Sequence, residues 1–143
     1  MKYSVSDEAW DVEFWDTAGQ EAYKRLHPSY FFNAQAAILV FDVTRKPTYK
    51  NMDLWFSELR DHCPFVPVLC VANKIDLDES VTRRRFSFPE KNDLPFFFVS
   101  ASTGVNVVRF FNEAIRLAIE NHRNPKDRAM EALMHLIGPN TTA

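Results

Sequence analysis

The chain has 143 residues and a net charge of −2, so its size fits one domain and its charge argues against a nucleic-acid-binding surface. Apolar residues make up 46% of the chain and include thirteen Phe, which is enough to bury a Phe-rich core. The basic run Arg83-Arg84-Arg85 could contact a phospholipid or a nucleic acid, but a solvated loop is the simpler interpretation.

Two cysteines, Cys63 and Cys70, are too few for the disulfide framework of a secreted protein, so we expect a reducing compartment. The sequence has no apolar signal region after Met1 and no stretch of transmembrane length. It also has no Gly at position 2 and no C-terminal Cys, and therefore no myristoyl or prenyl signal. These features predict a cytoplasmic protein without a lipid anchor.

Four segments are predicted as strands: residues 11–15, 36–41, 67–72 and 96–99. The last three are continuous apolar runs, which are typical of strands buried on both faces of a parallel sheet. Between and after them lie predicted helices at residues 48–62, 87–92 and 106–122. Strands that alternate with helices indicate a doubly wound α/β domain with a mostly parallel sheet.

The two longer helices show apolar residues at helical spacing. Thr48 is the predicted N-cap of the first of them. Their inward faces are predicted to be Tyr49, Met52, Trp55, Phe56 and Leu59 in residues 48–62, and Val108, Phe111, Ala114, Ile115 and Ala118 in residues 106–122. A last helix is predicted for residues 124–137; it either packs back on the domain or serves as a partner-binding appendage.

The first motif that carries chemistry comes after the predicted strand 11–15 and reads Trp-Asp-Thr-Ala-Gly-Gln-Glu, residues 15–21. An Asp at a strand end, here Asp16, is well placed to hold a divalent cation, often through water. Gly19 allows its backbone N–H to approach a phosphate closely. Gln20 can orient a water molecule for attack on that phosphate. An ordinary strand-to-loop turn is the alternative interpretation.

The second motif, Asn73-Lys74-Ile75-Asp76, also follows a strand. The Asp76 carboxylate can accept two N–H bonds from the edge of a guanine, which adenine cannot donate. The apolar stem of Lys74 can lie along the face of the ring, and Asn73 can tie neighbouring loops together.

The third motif, Ser100-Ala101-Ser102, follows the next strand and offers backbone N–H groups to the exocyclic oxygen of the base. Each motif alone is a weak signal. In this order, each at a strand end where open α/β sheets bind ligands, the three together specifically indicate a guanine-nucleotide site.

With these motifs the chain resembles the Ras superfamily, and within it the Rab-like two proteins, which are cilium-associated relatives of the Rab GTPases. The resemblance covers roughly residues 10–118 and rests on FWDTAGQE (14–21), VFDVTRKPTY (40–49), VANKID (71–76) and FVSASTGVNVVRFFNEAIRLA (98–118). It implies a small-GTPase fold in residues 1–123, with a helical extension in residues 124–143.

The resemblance also implies a function: a molecular switch that binds GTP and slowly hydrolyses it to GDP and phosphate, with Mg²⁺ as cofactor. Gln20 would be catalytic, and Asp16 would hold Mg²⁺ through water. GTP or GDP would be bound by Asp16 together with Gly19, Asn73, Lys74, Asp76, Ser100, Ala101 and Ser102. Effector proteins would bind the segment from Gly19 to Ser29, and the implied partners are ciliary transport machinery, with a location at the ciliary base.

One family motif has no match: GxxxxGK[ST], the phosphate-binding loop, occurs nowhere in the 143 residues. By comparison with the family pattern, the first strand, phosphate loop and first helix are expected to be lacking. Two interpretations stay open. The sequence is an N-terminally truncated version of an intact GTPase, or it is a non-catalytic protein-interaction module with little or no nucleotide binding.

Overall fold

The computed structural model describes residues 1–5, 7–17, 28–124 and 133–137. In chain order the strands are β1 Lys2–Val5, β2 Glu8–Asp11, β3 Ala37–Asp42, β4 Val68–Asn73 and β5 Phe96–Phe98. The α-helices are α1 Lys46–Lys50, α2 Met52–His62, α3 Ser87–Lys91 and α4 Val107–Arg123, and short 3-10 turns occupy Pro28–Tyr30, Ile75–Leu77 and Glu79–Arg83.

Three parallel strands in the order β3-β4-β5 form the central sheet. β4 is buried from Val68 to Ala72, as expected for a strand with a neighbour on both sides and helices over both faces. β3 and β5 are only half-buried along most of their length. The prediction of a parallel α/β sheet is therefore confirmed, with strand bounds within about a residue of those expected, while burial on both faces holds for β4 alone.

The predicted strand at residues 11–15 is wrong. The strand that forms is β2, which pairs antiparallel with β1 in a separate two-stranded sheet. The backbone pairing of this hairpin ends at Met1 and Val12, which exchange hydrogen bonds of 2.8 and 3.0 Å. Among the described residues, 13–17 pair with no strand. A strand-like pattern of side chains does not produce a strand in these residues, because their backbone has no partner strand.

The predicted helix at residues 48–62 is two helices, α1 and α2, that meet at Asn51. Pro47 lies in the first turn of α1, where its fixed φ is compatible with a helix start. Thr48 is therefore inside α1 and is not an N-cap; its hydroxyl donates to the Arg45 carbonyl at 2.7 Å. The inward face is confirmed, since all five predicted residues are buried or half-buried.

Helix α4 matches the prediction closely in length, but one of its inward residues is wrong. Val108 is 71% exposed, and Phe110 takes the buried position, packed with Val71 and Val99 of the sheet. Val108 and Phe110 are two residues apart, or about 200° around a helix, so they cannot share a face. Ala114 and Ile115 are buried as predicted.

Aromatic side chains fill the opposite side of the sheet. Phe41 of β3 lies 5.0 Å from Tyr49 and 5.2 Å from Phe86, measured between ring centroids. Phe86 also contacts Phe96 and Phe98 of β5 at 5.6 and 6.1 Å. The predicted Phe-rich core is thus present, and it joins α1 and the segment before α3 to the sheet.

The predicted helix at residues 124–137 falls largely outside the described residues. Residues 133–137 are helical, and Met134 and Leu136 are exposed. Whether this helix packs back on the domain stays a prediction. Across the described part of the chain, every helix is too short or too polar to span a bilayer.

The placement of Cys70 in the buried strand β4 gives a test of the fold. Burial raises the pKa of the Cys70 thiol from 9.0 to about 12, so its thiolate population falls roughly a thousandfold. Burial also raises the pKa of the Cys63 thiol, but Cys63 is only partly buried. We expect iodoacetamide to label Cys63 slowly and Cys70 hardly at all in the folded chain. Both cysteines should be labelled in about 8 M urea, which unfolds the chain. Mass spectrometry of tryptic peptides measures this, and equal labelling of the two cysteines before unfolding would contradict the placement of β4.

Candidate functional site

The carboxyl ends of the three parallel strands lie along one edge of the sheet. β3 ends at Asp42, which is in register with Asn73 at the end of β4. After β5, the Val99 N–H donates to the Ala72 carbonyl at 2.8 Å, which keeps Ser100 beside the end of β4. Two of the predicted motifs, residues 73–76 and 100–102, therefore meet at the edge where open α/β sheets bind ligands.

Two side-chain hydrogen bonds join these motifs. The Asn73 Oδ1 atom accepts a bond of 3.1 Å from the Ala101 N–H. The Ser100 hydroxyl donates to Asp76 Oδ1 at 2.8 Å. The predicted role of Asn73 in tying neighbouring loops together matches this contact. Asp76 is exposed as a residue, so its carboxylate can accept bonds from a ligand as well as from Ser100.

Ser100 is 1% exposed and shapes the loop that follows it. Its hydroxyl accepts a bond of 3.1 Å from the Thr103 N–H while it donates to Asp76. Its carbonyl accepts from the Gly104 N–H at 2.8 Å. Gly104 has a φ of +83°, a left-handed conformation that suits glycine. Ser102 lies in the same loop and is exposed.

Lys74 is the point where β4 turns into the Ile75–Leu77 turn. Its backbone is left-handed, with φ 68° and ψ 32°, which a residue other than glycine adopts at a cost of about 1 kcal/mol. The Ile75 N–H donates to the Val99 carbonyl at 3.3 Å, so the turn is attached to the end of β5. This geometry places Asp76 next to Ser100.

Asp42 belongs to the site and was not among the predicted site residues. Its Oδ2 atom lies 2.7 Å from Lys74 Nζ, and its Oδ1 accepts bonds from the Thr44 N–H at 2.9 Å and the Thr44 hydroxyl at 2.6 Å. Desolvation alone would raise the pKa of Asp42, but the bonds from Lys74 and Thr44 outweigh it and lower the pKa from 3.8 to about 2. An Asp at the end of a predicted strand is the sequence signal that could have found it.

The first motif is only partly described. Asp16 lies beyond the end of β2 and is exposed, whereas Gly19 and Gln20 fall outside the described residues. Mg²⁺ in nucleotide sites is held by one or two carboxylates together with phosphates and waters, and a single exposed carboxylate fits that pattern. In the described ranges there is no group of three or more His, Cys, Asp or Glu side chains that could hold a metal.

The arrangement can therefore present the Asp76 carboxylate and the apolar stem of Lys74 to a planar base, while the Lys74 ammonium group is engaged by Asp42. In this structure the Ala101 N–H is engaged by Asn73, and the Ser100 N–H donates to the Val105 carbonyl at 3.1 Å. Two open clefts of about 240 and 270 Å³ lie elsewhere, beside Phe86 and His62. Neither cleft includes a predicted site residue.

The Asp42–Lys74 pair gives the unfolding free energy a pH dependence with a defined sign. Because the pKa of Asp42 is lower in the folded chain than its ordinary value of 3.8, the carboxylate stabilises the fold above pH 3.8. This contribution is lost as the pH falls from 3.8 through about 2. We expect Asp42→Asn to destabilise the chain at pH 6 by about 1–2 kcal/mol.

The difference between Asp42→Asn and the parent chain should shrink steadily as the pH falls below about 4. Urea unfolding at a series of pH values measures it. Asp53→Asn is the matched control, since it removes the exposed 2.6 Å ion pair with Lys91 and should cost little at any pH. If the loss of unfolding free energy in Asp42→Asn stayed constant down to about pH 2.5, that result would argue against the ionised pair.

Known proteins resemble this chain over most of its length. The model of the Ras family matches residues 1–120. Rab-like protein 2A of Pongo abelii is 53% identical over 125 residues, which make up 87% of this chain and 55% of that protein. Rab-like protein 2B of Homo sapiens is 50% identical over 125 residues, which make up 87% of this chain and 54% of that protein.

A more distant relative is the Ras-related protein RABA1c of Arabidopsis thaliana, which is 39% identical over 133 residues, or 90% of this chain and 60% of that protein. The chain spans about half the length of the curated Rab-like relatives it matches. These matches confirm the resemblance found in the sequence motifs: the chain belongs to the Ras family and is similar to the Rab-like proteins within it.

Proposed function

We propose that the chain carries the guanine-reading part of a GTP-dependent molecular switch of the Rab-like type, whose parent activity is hydrolysis of GTP to GDP and phosphate. The observation that supports this most directly is the bond of 2.8 Å from the Ser100 hydroxyl to Asp76 Oδ1. It joins two motifs from different strands at one edge of the sheet, where neither motif alone would specify a base.

In this proposal Asp76 selects the base. Its carboxylate accepts two N–H bonds from the edge of guanine in a bidentate, charge-assisted pair. Adenine has no matching pair of donors on that edge, so an adenine nucleotide would desolvate the carboxylate without giving it the two hydrogen bonds that guanine donates. Ser100 fixes the orientation of the carboxylate. The N–H groups of residues 100–102 are the candidates for the exocyclic oxygen; those of Ser100 and Ala101 now donate to the Val105 carbonyl and to Asn73 Oδ1, so they would have to exchange these bonds for one to the base.

The phosphate side of the switch involves Asp16, Gly19 and Gln20. Asp16 would hold Mg²⁺ through water, Gly19 would approach the terminal phosphate and Gln20 would orient the attacking water. Mg²⁺ supplies neutralisation of the charge on the phosphates when it is bound with the nucleotide. The support for these roles is the order of residues in the motif and the exposure of Asp16.

Partners and location follow from the resemblance to the Rab-like two proteins. We propose that effectors bind the segment from Gly19 to Ser29 when GTP is bound, that they belong to ciliary transport machinery, and that the protein works in the cytoplasm and at the ciliary base. The support is the similarity of the chain to Rab-like proteins 2A and 2B.

The competing proposal is a protein-interaction module with little or no nucleotide binding. It is favoured by the lack of a GxxxxGK[ST] match in the 143 residues. The two proposals differ in one measurable property, because only a guanine-reading site distinguishes guanine from adenine nucleotides. Titration of the chain with GMP and with AMP, followed by NMR shifts of residues 73–78 and 100–106, separates them.

Asp76→Asn tests the assignment of the base. An Asn presents one acceptor and one donor where two acceptors are needed, so preference should move from guanine toward xanthine by at least about tenfold. The shifts produced by GMP and XMP in both chains measure this ratio. Asp78→Asn is the matched control, since its carboxylate is engaged by the Ser80 hydroxyl and not by the site. An unchanged ratio in Asp76→Asn, with GMP still bound, would remove Asp76 from this role.

Affinity for GTP itself tests the phosphate side of the site. Phosphate-binding loops supply backbone N–H groups, a Lys and a hydroxyl ligand for Mg²⁺. None of these is recognisable in the 143 residues, so their affinity for GTP with Mg²⁺ should be weaker than about 1 μM, or roughly −8 kcal/mol, with negligible hydrolysis. Isothermal titration and phosphate release measure both quantities. Tighter binding would mean that the chain builds a phosphate site from residues outside the three motifs.

A further inference from the structure

Asp42 and Lys74 come from different strand ends and form an ion pair beside the base-reading motif. Asp42 ends β3 in register with Asn73, the residue before Lys74. The distance from Asp42 Oδ2 to Lys74 Nζ is 2.7 Å. The Asp42 side chain is 12% exposed and that of Lys74 is 50% exposed, so the acid is the shielded partner and the base reaches outward from it.

The carboxylate of Asp42 is held in place independently of Lys74. Two bonds from Thr44, one from its N–H and one from its hydroxyl, fix Oδ1 and leave Oδ2 for the ammonium group. The backbone of Asp42 is fixed as well, because its N–H donates to the Thr48 hydroxyl at 2.9 Å. Asp42 is therefore a preorganised anchor, and a cation bound to it loses less entropy than in an ordinary surface pair.

Lys74 is fixed at both ends. Its backbone is held in the left-handed region by the neighbouring turn, in which the Leu77 N–H donates to the Lys74 carbonyl at 3.0 Å. Its ammonium group is held by Asp42. A non-glycine residue stays in this region only when its surroundings constrain it strongly. The four-carbon stem between the two fixed ends therefore has few conformations left.

We propose that Asp42 is a positioning residue for purine binding, which holds the Lys74 ammonium group so that the Lys74 stem forms a flat apolar support for the base. This rests on the proposed guanine-nucleotide function and extends it to a residue outside the three motifs. Asp42 does not touch the base. Its loss therefore weakens binding of every purine to a similar extent, whereas the choice between purines stays with Asp76.

The test uses the full 143-residue chain and GMP, XMP and AMP as probes, with NMR shifts of residues 73–78 and 100–106 as the readout. Asp42→Asn removes the anchor, and Lys74→Met keeps an unbranched apolar stem without the charge. Asp53→Asn serves as the control, since it removes an ion pair of similar length, to Lys91, that includes no residue of the site. Each variant and the double variant Asp42→Asn/Lys74→Met are titrated.

We expect Asp42→Asn to weaken GMP binding by about threefold to tenfold with an unchanged GMP-to-AMP ratio. In the Lys74→Met background, Asp42→Asn should cost nothing further, because its effect passes through the ammonium group. A purely structural role of Asp42 would instead give equal losses in both backgrounds. Asp53→Asn should bind GMP as the parent chain does.

Three results overturn the proposal. Unchanged GMP affinity in Asp42→Asn removes the positioning role and leaves the guanine site intact. Equal losses in the parent and Lys74→Met backgrounds mean that Asp42 acts by another route. A parent chain that does not prefer GMP to AMP overturns the guanine site itself, and the positioning role with it.

A substitute variant covers loss of folding in Asp42→Asn. Thr44→Val removes the 2.6 Å hydroxyl bond to Asp42 Oδ1 while the Thr44 N–H bond is retained. It should give a smaller loss of GMP affinity, about twofold to threefold, again with the base ratio unchanged. A Thr44→Val chain that binds GMP as tightly as the parent would also count against the anchor.

Discussion

Strand β4 is the element on which the rest of the structure depends. From Val68 to Ala72 its side chains are at most 3% exposed, and it bonds to β3 on one side and β5 on the other. Because all three strands are parallel, their carboxyl ends lie on the same edge, and this alone brings Asp42, Asn73 and Ser100 together. The chemistry of the edge then depends on a few side-chain bonds between loops that the sheet has already made neighbours.

Those bonds differ in how well they are shielded from water. Ser100 is buried, so its hydroxyl is costly to leave without a partner, and the exposed Asp76 supplies that partner. Lys74 is half exposed, so its attraction to Asp42 is moderated by solvent, and the Thr44 bonds matter because they hold the acid ready. The site thus combines one contact made by a buried side chain with one that is partly open to solvent.

Much of this was predictable from the sequence, for identifiable reasons. Runs of apolar residues at 36–41, 67–72 and 96–99 located the parallel strands, and the motif residues at 73–76 fell at the strand end as expected. The hairpin strand was misplaced because backbone pairing, not side-chain pattern, decides where β2 ends. Val108 was assigned to the core because it lies at helical spacing from Phe111 and Ile115. Phe110 was not predicted there, since its burial depends on how α4 packs on Val71 and Val99. Asp42 was missed because its role depends on Lys74, which lies 32 residues further along the chain. A local sequence window does not contain such a long-range contact.

The hairpin of β1 and β2 is attached to the rest of the chain mainly through side chains, since among the described residues its strands share no ladder with the parallel sheet. Its attachment is at the last turn of α4, where Trp10 meets His122 edge to face at 5.8 Å and Arg123 lies 5.2 Å from the Trp10 ring and bonds to Glu8. Helix ends fray before helix centres do. We therefore expect the hairpin to open as a separate unit of cooperativity: fraying of a single turn should release it, while the strands that carry the base-reading loops keep their amides protected from hydrogen exchange.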